Sequence, residues 1–241
     1  MQVVSELRFS ADTAPEEVLE KAVARFAPRI AFATGFGMEG CVLLHMISAR
    51  RLPIDVFTLD TGLLFPETYE LWKRLEALYG LTIRAVRPEQ TVEHQETAFG
   101  PDLWEREPAR CCDLRKVRPL RRALAGLDAW VTAVRRDQTP ERAGVGLVEE
   151  DTRFGLVRIN PLAAWSAADV RAYVERHGVP VSPLHARGYP SIGCAPCTTP
   201  VSEGEDPRAG RWRGFARTEC GLHTKSGTNE TKTENMERTT S

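Results

Sequence analysis

The sequence predicts an α/β fold in which a mostly parallel sheet carries helices on both of its faces. Two observations support this prediction. Short apolar segments alternate with helical segments along residues 30–178, an alternation typical of parallel sheets. The chain has 241 residues, of which 42% are hydrophobic and 27% charged, so it can form a sizeable core without disulfides. We find no internal repeat.

The individual elements follow from local signals. The predicted strands are residues 30–34, 54–59, 82–86, 129–134 and a short fifth one at 156–160. The predicted helices are residues 39–50, 66–79, 113–125 and one that follows Ser166. Pro66 in a first turn and Gly80 after the last turn are typical helix boundaries. Ser166 with Asp169 three residues later forms a capping signal, and Gly178 ends that helix.

The pattern changes after the last predicted helix. Residues 179–214 are rich in Pro and Gly without a clear period, which predicts an ordered but irregular segment. Residues 224–241 are polar and poor in apolar side chains, so we expect a disordered tail. The sequence thus predicts one domain over residues 1–223, with a core at about 28–178 and a second segment at about 179–223.

Charge and hydropathy exclude several classes of protein. Lys and Arg number 32 against 33 Asp and Glu, for a net charge of -1, which argues against a broad nucleic-acid surface but permits a local basic pocket. No apolar run approaches the roughly 20 residues of a membrane helix. The N-terminus, MQVVSELRFSADTAPEE, lacks the apolar region of a secretory signal. We expect a cytoplasmic protein with no nucleic acid and no membrane as partner.

The cysteines are the most informative residues. In a cytoplasmic chain, metal binding or catalysis is a better interpretation of six cysteines than disulfides. Four of them form two pairs, Cys111-Cys112 and Cys194-Cys197. Neighbouring side chains diverge, and an iron–sulfur cluster with separated corners tolerates that divergence better than one tetrahedral zinc. From the spacing alone, a structural zinc site remains the alternative.

Two turns predict a ligand site at the edge of the sheet. The segment IAFATGFGMEGCVLL places glycines before a helix, where N–H groups can face an anion. It matches neither GxGxxG nor GxxxxGK[ST]. The second predicted strand ends in LDTG, and ligands of open α/β sheets bind beyond the carboxyl ends of the strands. We therefore expect Gly35–Gly40 and Asp60–Gly62 on one rim.

Basic residues are concentrated near the cysteine pairs and after the fourth predicted strand. Each one alone is typical of a solvated surface, but together they predict a pocket for a multiply charged anion. They are Arg115, Lys116, Arg135, Arg136, Arg142, Arg208, Arg211 and Arg213.

Cys220 lies in the segment ECGLH, just before the predicted tail. A lone cysteine is usually buried and inert, but exposure near a mobile end makes a reactive role plausible. Glu219 opposes formation of its thiolate, whereas His223 and the nearby arginines favour it, and the sequence does not decide between them.

These segments together resemble the adenylyl-sulfate reductases of the APS/PAPS reductase family. The resemblance covers about residues 30–223 in the family's order. The matching segments are LDTGLLFPETYEL, CCDLRKVRPL, RRDQTPERAGV, NPLAAWSAADV, SPLHARGYPSIGCAPCTTPV, GEDPRAGRW and ECGLH. The resemblance implies a PP-loop (adenine nucleotide α-hydrolase-like) sheet, with the core binding nucleotide and the second segment carrying a cluster and the catalytic residue.

The resemblance also implies a set of site residues. One 4Fe-4S cluster per chain would be held by Cys111, Cys112, Cys194 and Cys197. The catalytic residues would be Cys220 and His223. Substrate would be bound by Gly35, Gly37, Glu39, Asp60, Thr61, Gly62, Arg115, Lys116, Arg142, Arg208 and Arg211.

The implied reaction is the reduction of adenylyl sulfate to sulfite and AMP in assimilatory sulfate reduction and cysteine biosynthesis. Cys220 would attack the sulfur and become an S-sulfocysteine, from which thioredoxin or glutaredoxin would release sulfite. Family members without the two cysteine pairs use the 3′-phosphorylated substrate, and some with both pairs accept either. A phosphoadenylyl-sulfate or dual-substrate reductase therefore remains the first alternative.

Two rivals belong to other classes. A PP-loop tRNA-thiolation enzyme would need a basic RNA surface, which the net charge of -1 does not favour. A non-catalytic zinc-binding module would leave Cys220 and the arginines without a role. The sequence leaves open the preferred thiol donor and whether the chain forms a homo-oligomer.

Overall fold

The computed structural model describes Leu7 and residues 9–10, 12–215, 217 and 219–222. In this part of the chain, six strands form one sheet in the order β3-β2-β1-β4-β6-β5. The strands are β1 Ile30–Thr34, β2 Asp55–Leu59, β3 Arg84–Val86, β4 Ala129–Val131, β5 Val148–Asp151 and β6 Leu156–Ile159. The helices are α1 Pro15–Phe26, α2 Met38–Ala49, α3 Pro66–Tyr79, α4 Val92–Phe99, α5 Leu103–Arg106, α6 Pro108–Cys112, α7 Arg118–Leu124 and α8 Ala167–His177.

The sheet is parallel except for β5, and helices cover both faces, as predicted. Strand β1 is central: Phe32 lies opposite Val56 of β2 and Val131 of β4. Alternate residues of β1 enter different cores, since Phe32 packs in the larger cluster beneath α1, α2, α3 and α8 while Ala31 packs in the smaller one beneath α7. Strands buried on both faces read as continuous apolar runs, which is why β1 is recognisable in the sequence.

Local sequence signals predicted several element boundaries correctly. Strand β1 and helix α3 have the predicted bounds. Helices α3 and α8 end at Gly80 and Gly178, whose φ angles of 62° and 59° lie in the left-handed region that glycine adopts without strain. At the start of α8, the Ser166 N–H donates to the Asp169 carboxylate (2.7 Å) and the Asp169 N–H donates to Ser166 Oγ (3.2 Å).

The predicted helix 113–125 is present, but its first turn is π-helical. Residues Asp113–Val117 form a π-helical turn that leads directly into α7. Pro119 in the first turn of α7 has no N–H to donate to the carbonyl four residues earlier, so the α-helical hydrogen-bond pattern is interrupted there.

Other elements were missed by the sequence analysis. Helices α1, α4, α5 and α6 were not predicted, and three of them are no longer than eight residues. Strand β5 has the sequence VEED, which lacks an apolar pattern. It pairs antiparallel with β6, where Glu149 lies opposite Arg158 and forms an ion pair with it. A cross-strand charge pair thus replaces hydrophobic alternation as its stabilising contact.

The chain after α8 is irregular and returns to the edge of the sheet. Two 3₁₀ turns, Pro183–Arg187 and Ala195–Cys197, interrupt it. The Ala195 N–H donates to the Leu63 carbonyl (2.7 Å), and Leu64 forms a β-bridge with Cys194. The predicted tail 224–241 lies outside the described residues. None of the helices in the described part of the chain has the length and apolar character needed to cross a bilayer.

Two leucines on α3 provide a test of the core. Leu75 is fully buried, whereas Leu78 is 58% exposed on the same helix. We expect Leu75→Ala to lower the free energy of unfolding by about 2–5 kcal/mol, because it leaves a cavity. The matched change Leu78→Ala should alter it by no more than about 0.5 kcal/mol. Chemical denaturation measures both values, and equal effects would contradict the packing described here.

Candidate active site

A cavity of about 220 Å³ lies at the carboxyl ends of β1, β2 and β4. Its floor is formed by residues that end or follow these strands, namely Ala33, Thr34, Gly35, Thr58, Leu59, Thr61, Ala133 and Val134. From β1 the chain proceeds to β2 on one side and, later, to β4 on the other. The cavity therefore occupies the point where the strand order reverses, which is where open α/β sheets bind ligands.

Four cations and one thiol face this cavity from separate parts of the chain. The lining includes Lys116, Arg142, Arg208, Arg211 and Cys220. Lys116 and Arg142 are both buried. Buried cations need anionic partners, since desolvation of an unpaired charge is costly. The lining holds four cations against the single carboxylate of Glu219, and this excess of positive charge favours an anionic ligand with more than one charge.

Arg211 is held in place with part of its guanidinium unsatisfied. Its Nη1 donates to Ser191 Oγ (3.3 Å) and to the Ile192 carbonyl (3.2 Å), and its guanidinium lies over the Trp212 ring at 4.6 Å. Among the described residues, Arg211 Nε has no hydrogen-bond partner although it is buried. A Cβ atom at Gly193 would overlap this guanidinium, so the glycine before Cys194 makes room for the arginine.

The sequence-predicted substrate residues divide into two groups. Those that line the cavity are Gly35, Thr61, Lys116, Arg142, Arg208 and Arg211. Those that do not line it are Gly37, Glu39, Asp60, Gly62 and Arg115. His223 lies outside the described residues.

Asp60 organises the loop after β2. Its carboxylate accepts hydrogen bonds from Tyr69 Oη (2.7 Å), the Gly62 N–H (3.2 Å) and Arg87 Nε (3.0 Å). Burial alone would raise the pKa of Asp60, but these donors and the Arg87 charge lower it below its usual value. The ionised carboxylate thus fixes the turn that presents Thr61 to the cavity.

Arg115 also stabilises the loop after β2. It is 3% exposed, and its Nε donates to the Thr61 carbonyl (2.6 Å) while its Nη1 donates to Gln95 Oε1 (3.2 Å). Glu39 is similarly engaged, since it accepts from Arg135 Nε (2.9 Å) and Gln138 Nε2 (3.1 Å). In this structure both side chains position neighbouring elements.

The glycine-rich turn before α2 permits a close approach. A Cβ atom at Gly40 would lie 2.8 Å from Thr34 Oγ1. The same hydroxyl accepts the Phe36 N–H (3.2 Å). Glycine at position 40 therefore allows the first turn of α2 to pack against the end of β1, beside the cavity.

The four paired cysteines converge beside Lys116. The thiols of Cys111, Cys112 and Cys197 each lie within electrostatic range of Cys194. Thr61 Oγ1 lies 3.4 Å from Cys194 Sγ. In the described part of the chain, no group of three or more His, Cys, Asp or Glu side chains is arranged closely enough to hold a single metal ion.

The ionisation of these thiols is uneven. Burial raises the pKa of Cys111 to about 11 and that of Cys197 to about 12, and neighbouring cysteines add to both shifts. Burial would also raise the pKa of Cys194, but Lys116, the Thr61 hydroxyl and Arg211 lower it overall. In the same way burial would lower the pKa of Lys116, but Cys194, Cys220 and Cys112 raise it. Thiolate and ammonium therefore stabilise each other.

Two residues next to Cys220 acquire a role that the sequence analysis did not assign. Glu219 is buried and accepts from Arg142 Nε and Nη2, both at 2.8 Å. Arg153 donates to the Gly221 carbonyl. The position of Glu219 beside a candidate nucleophile was an available signal. Arg153 lies in the β5–β6 turn, and nothing in its local sequence connects it with Cys220.

Cys41 has the character expected from its position in α2. It is fully buried, and burial, with a smaller effect of Glu39, raises its pKa to about 12. Its thiol donates to the Phe36 carbonyl (3.7 Å). A buried, protonated thiol is a poor nucleophile.

Comparisons with known proteins give a consistent result. Residues 29–200 match the phosphoadenosine phosphosulfate reductase domain. The adenosine 5′-phosphosulfate reductase of Rhodococcus opacus is 49% identical over 81% of this chain and 79% of its own length. The phosphoadenosine 5′-phosphosulfate reductase of Gloeobacter violaceus is 46% identical over 88% of this chain and 89% of its own length.

Solved structures agree with the sequence relatives. The phosphoadenylyl-sulfate reductase from Candida auris has a TM-score of 0.71 and 34% identity over 78% of this chain and 91% of its own. Yeast FAD synthetase has a TM-score of 0.54 at 18% identity, over 77% of this chain and 66% of its own, and shares the fold alone.

The fold and the cavity thus define an α/β enzyme of the PP-loop class, as predicted. Within that class, the chain belongs to the phosphoadenosine phosphosulfate reductase family, and it is an oxidoreductase of sulfate assimilation. This membership favours neither the tRNA-thiolation enzyme nor the non-catalytic zinc module.

Proposed function

We propose that this enzyme reduces adenylyl sulfate to sulfite and AMP, with thioredoxin-type thiols as reductant and an S-sulfocysteine on Cys220 as intermediate. The observation that carries the proposal is the presence of Cys220 and four cations around one cavity at the carboxyl edge of the sheet. The adenosine 5′-phosphosulfate reductases among the relatives supply the substrate class.

The chemical difficulty is electrostatic. An anionic thiolate must approach a sulfuryl group that carries negative charge, next to a charged phosphate. Lys116, Arg208 and Arg211 offset this repulsion, because fixed cations in a partly dry site act more strongly than in water. AMP is a good leaving group, so the step needs little protonation.

In the first step the Cys220 thiolate attacks the sulfur of the substrate. A bond forms between Cys220 Sγ and that sulfur, while the bond between the sulfur and the bridging phosphate oxygen breaks. AMP leaves with the electron pair, and the enzyme carries an S-sulfonate group.

In the second step a thiolate of thioredoxin or glutaredoxin attacks Cys220 Sγ. Sulfite leaves with the electron pair of the broken sulfur–sulfur bond, and a mixed disulfide remains. The second thiol of the reductant resolves it, restores the Cys220 thiol and leaves the reductant as a disulfide. Two thiols are thereby oxidised and one sulfate-level sulfur is reduced to sulfite.

We further propose that Cys111, Cys112, Cys194 and Cys197 hold one 4Fe-4S cluster. The donor set fits, because four thiols converge and Lys116 favours the thiolate form of Cys194. When bound, the cluster would supply fixed charge next to the anion pocket. That charge would act through Lys116, which faces the cavity. The electrons of the reaction come from the thiol reductant.

The nucleotide is proposed to lie across the rim formed by Gly35–Gly40 and Asp60–Gly62. Support comes from the cavity lining, which includes Gly35 and Thr61. His223 is proposed as a catalytic residue on the resemblance of ECGLH alone.

A phosphoadenylyl-sulfate or dual-substrate reductase is the second candidate, favoured by the name of the Gloeobacter violaceus relative. Turnover measured in parallel with adenylyl sulfate and its 3′-phosphorylated form separates these candidates.

The metal content of the purified protein tests the proposed 4Fe-4S cluster. Protein purified without oxygen should be brown and contain about four iron ions and four sulfides per chain. Cys197→Ser should lose most of this iron, since it removes one ligand. The control Cys41→Ala should retain it, because Cys41 lies in α2. Stoichiometric zinc without iron in the anaerobic protein would contradict the assignment.

The covalent intermediate tests the mechanism. Enzyme mixed with adenylyl sulfate and no reductant should gain one sulfonate group by intact mass, and peptide mapping should place it in the ECGLH segment. Cys220→Ser should keep its iron and bind AMP, gain no mass and release no sulfite, whereas Cys41→Ala should form the adduct. An adduct on Cys220→Ser, or one that maps to Cys41, would refute this mechanism.

Two neighbouring arginines test the anion pocket. Arg211→Ala removes a cation that faces the cavity and should weaken AMP binding about ten- to a hundred-fold, the effect of a lost charge-assisted hydrogen bond. The matched control is Arg213→Ala, because Arg213 is half-exposed and pairs with Glu205 away from the cavity lining. Calorimetric titration with AMP measures both, and equal affinities for the two variants would argue against the pocket.

A further inference from the structure

The carboxylate of Glu219 is buried within a set of arginines. Arg142 Nε and Nη2 donate to its two oxygens, at 2.8 Å each, so the contact is bidentate. Arg208 Nη2 lies 3.4 Å from the same carboxylate. Glu219 is 8% exposed, which makes this a largely desolvated ion pair and distinguishes it from the surface pairs of the chain.

The carbonyls before and after Cys220 both accept hydrogen bonds, one from within the segment and one from the β5–β6 turn. Arg217 Nε donates to the Glu219 carbonyl (2.7 Å), and an Arg153 guanidinium nitrogen donates to the Gly221 carbonyl. Gly221 has a φ of 83°, a left-handed conformation that turns the chain directly after Cys220. Leu222 then packs against the smaller apolar core beneath α7. Cys220 is therefore the centre of a short segment with contacts before and after it.

We propose that Glu219 is a positioning residue, a latch whose ion pair with Arg142 and Arg208 holds the Cys220 thiol in the anion cavity and whose release lets Cys220 leave it. The inference rests on the proposed function, since it assigns the latch to the S-sulfonation step. It also divides the cations of the cavity: Lys116 and Arg211 serve the substrate, Arg142 serves the nucleophile segment, and Arg208 lines the cavity while it contacts Glu219.

The geometry of Arg142 supports this division. Its Nη1 donates to Gln138 Oε1, and its Nε and Nη2 are both used by Glu219. Glu219 occupies the Nε/Nη2 edge of this guanidinium and Gln138 takes one Nη1 proton, so three of its five N–H donors are already used. Arg211, in contrast, keeps a buried Nε without a hydrogen-bond partner in the described part of the chain.

The latch can also open. Thioredoxin must reach Cys220 Sγ, which requires the segment to move out of the cavity. A desolvated ion pair is strong while it is closed, but both partners regain hydration when the segment leaves. The closed form therefore favours attack on the substrate, and the open form allows attack by the reductant.

Glu219→Gln removes the charge and keeps the shape of the side chain. We expect single-turnover S-sulfonation at saturating adenylyl sulfate to slow about ten- to a hundred-fold, while the dissociation constant for AMP stays within about threefold. Glu219→Asp keeps the charge, so its rate of S-sulfonation should lie between those of Glu219→Gln and wild type. A purely steric role of Glu219 would not produce this order. The matched control is Glu205→Gln, which breaks the half-exposed pair with Arg213 and should leave the rate unchanged.

A second readout needs no adenylyl sulfate. Arg217 is half-buried and bonded to the Glu219 carbonyl, so trypsin should cut after Arg217 faster in Glu219→Gln than in wild type or Glu205→Gln. Arg153→Gln removes the other anchor and should also slow S-sulfonation and speed this cleavage. This second variant decides the question if Glu219→Gln fails to fold.

Three results separate the outcomes. Wild-type S-sulfonation and cleavage rates in a folded Glu219→Gln variant would overturn the latch, and so would wild-type rates in Arg153→Gln if Glu219→Gln does not fold. Markedly tighter AMP binding by Glu219→Gln without slower S-sulfonation would also overturn it, because Glu219 would then compete with the substrate. If the wild type itself forms no adduct, the proposed function fails, while the trypsin comparison still reports whether Glu219 holds the segment closed.

Discussion

The balance of charge at the carboxyl edge of the sheet is the constraint on which the rest of the site depends. Lys116, Arg142, Arg208 and Arg211 share a cavity of about 220 Å³. Arg208 lies within electrostatic range of both Arg142 and Arg211, and like charges repel more strongly in a medium less polar than water. Thiolates on one side and the Glu219 carboxylate on the other offset this repulsion. The site is thus prepared for an anion because its own anions neutralise only part of its positive charge.

The elements of the fold can be understood from this requirement. The loop after β2 must present Thr61 to both the cavity and Cys194, so Asp60 and Arg115 fix it from the two sides. The π-helical turn Asp113–Val117 connects Cys111 and Cys112 with Lys116. Because Lys116 lies within this turn and the cysteine pair directly precedes it, a change in the winding of the turn alters the direction of Lys116 relative to the two cysteines. π-Helical turns of this kind often occur at functional sites.

In the proposed mechanism, the segment around Cys220 has to satisfy two opposing demands. It must be ordered enough to place a thiol among the cations, and it must be releasable. Contacts made by side chains alone, such as Glu219 with Arg142, meet both demands, because they do not extend the sheet or a helix. A nucleophile built into β4 or α7 could not leave the cavity without unfolding a core element.

The sequence by itself determined the class of fold, several element boundaries and the candidate chemistry. Apolar runs buried on both faces identify β1 and β2, and Pro66 and Gly80 delimit α3. Two cysteine pairs and the ECGLH segment at residues 219–223 indicate the family. These signals are local, so each can be read from neighbouring residues. The acidic strand β5 lacks an apolar pattern, and the short helices α4–α6 have too few turns to show a helical period, although Thr91 caps α4 and Gly100 follows it.

Only the tertiary structure decided which polar residues face the cavity. Asp60, Glu39 and Arg115 have the residue types of a ligand site, yet their hydrogen bonds are used to position loops and helix ends. Arg153 is remote in sequence from Cys220 but donates a hydrogen bond to the carbonyl of the following residue, Gly221. The direction of a side chain depends on partners that are distant in the chain, such as Arg142 and Glu219, which are 77 positions apart. No local pattern encodes such a pairing.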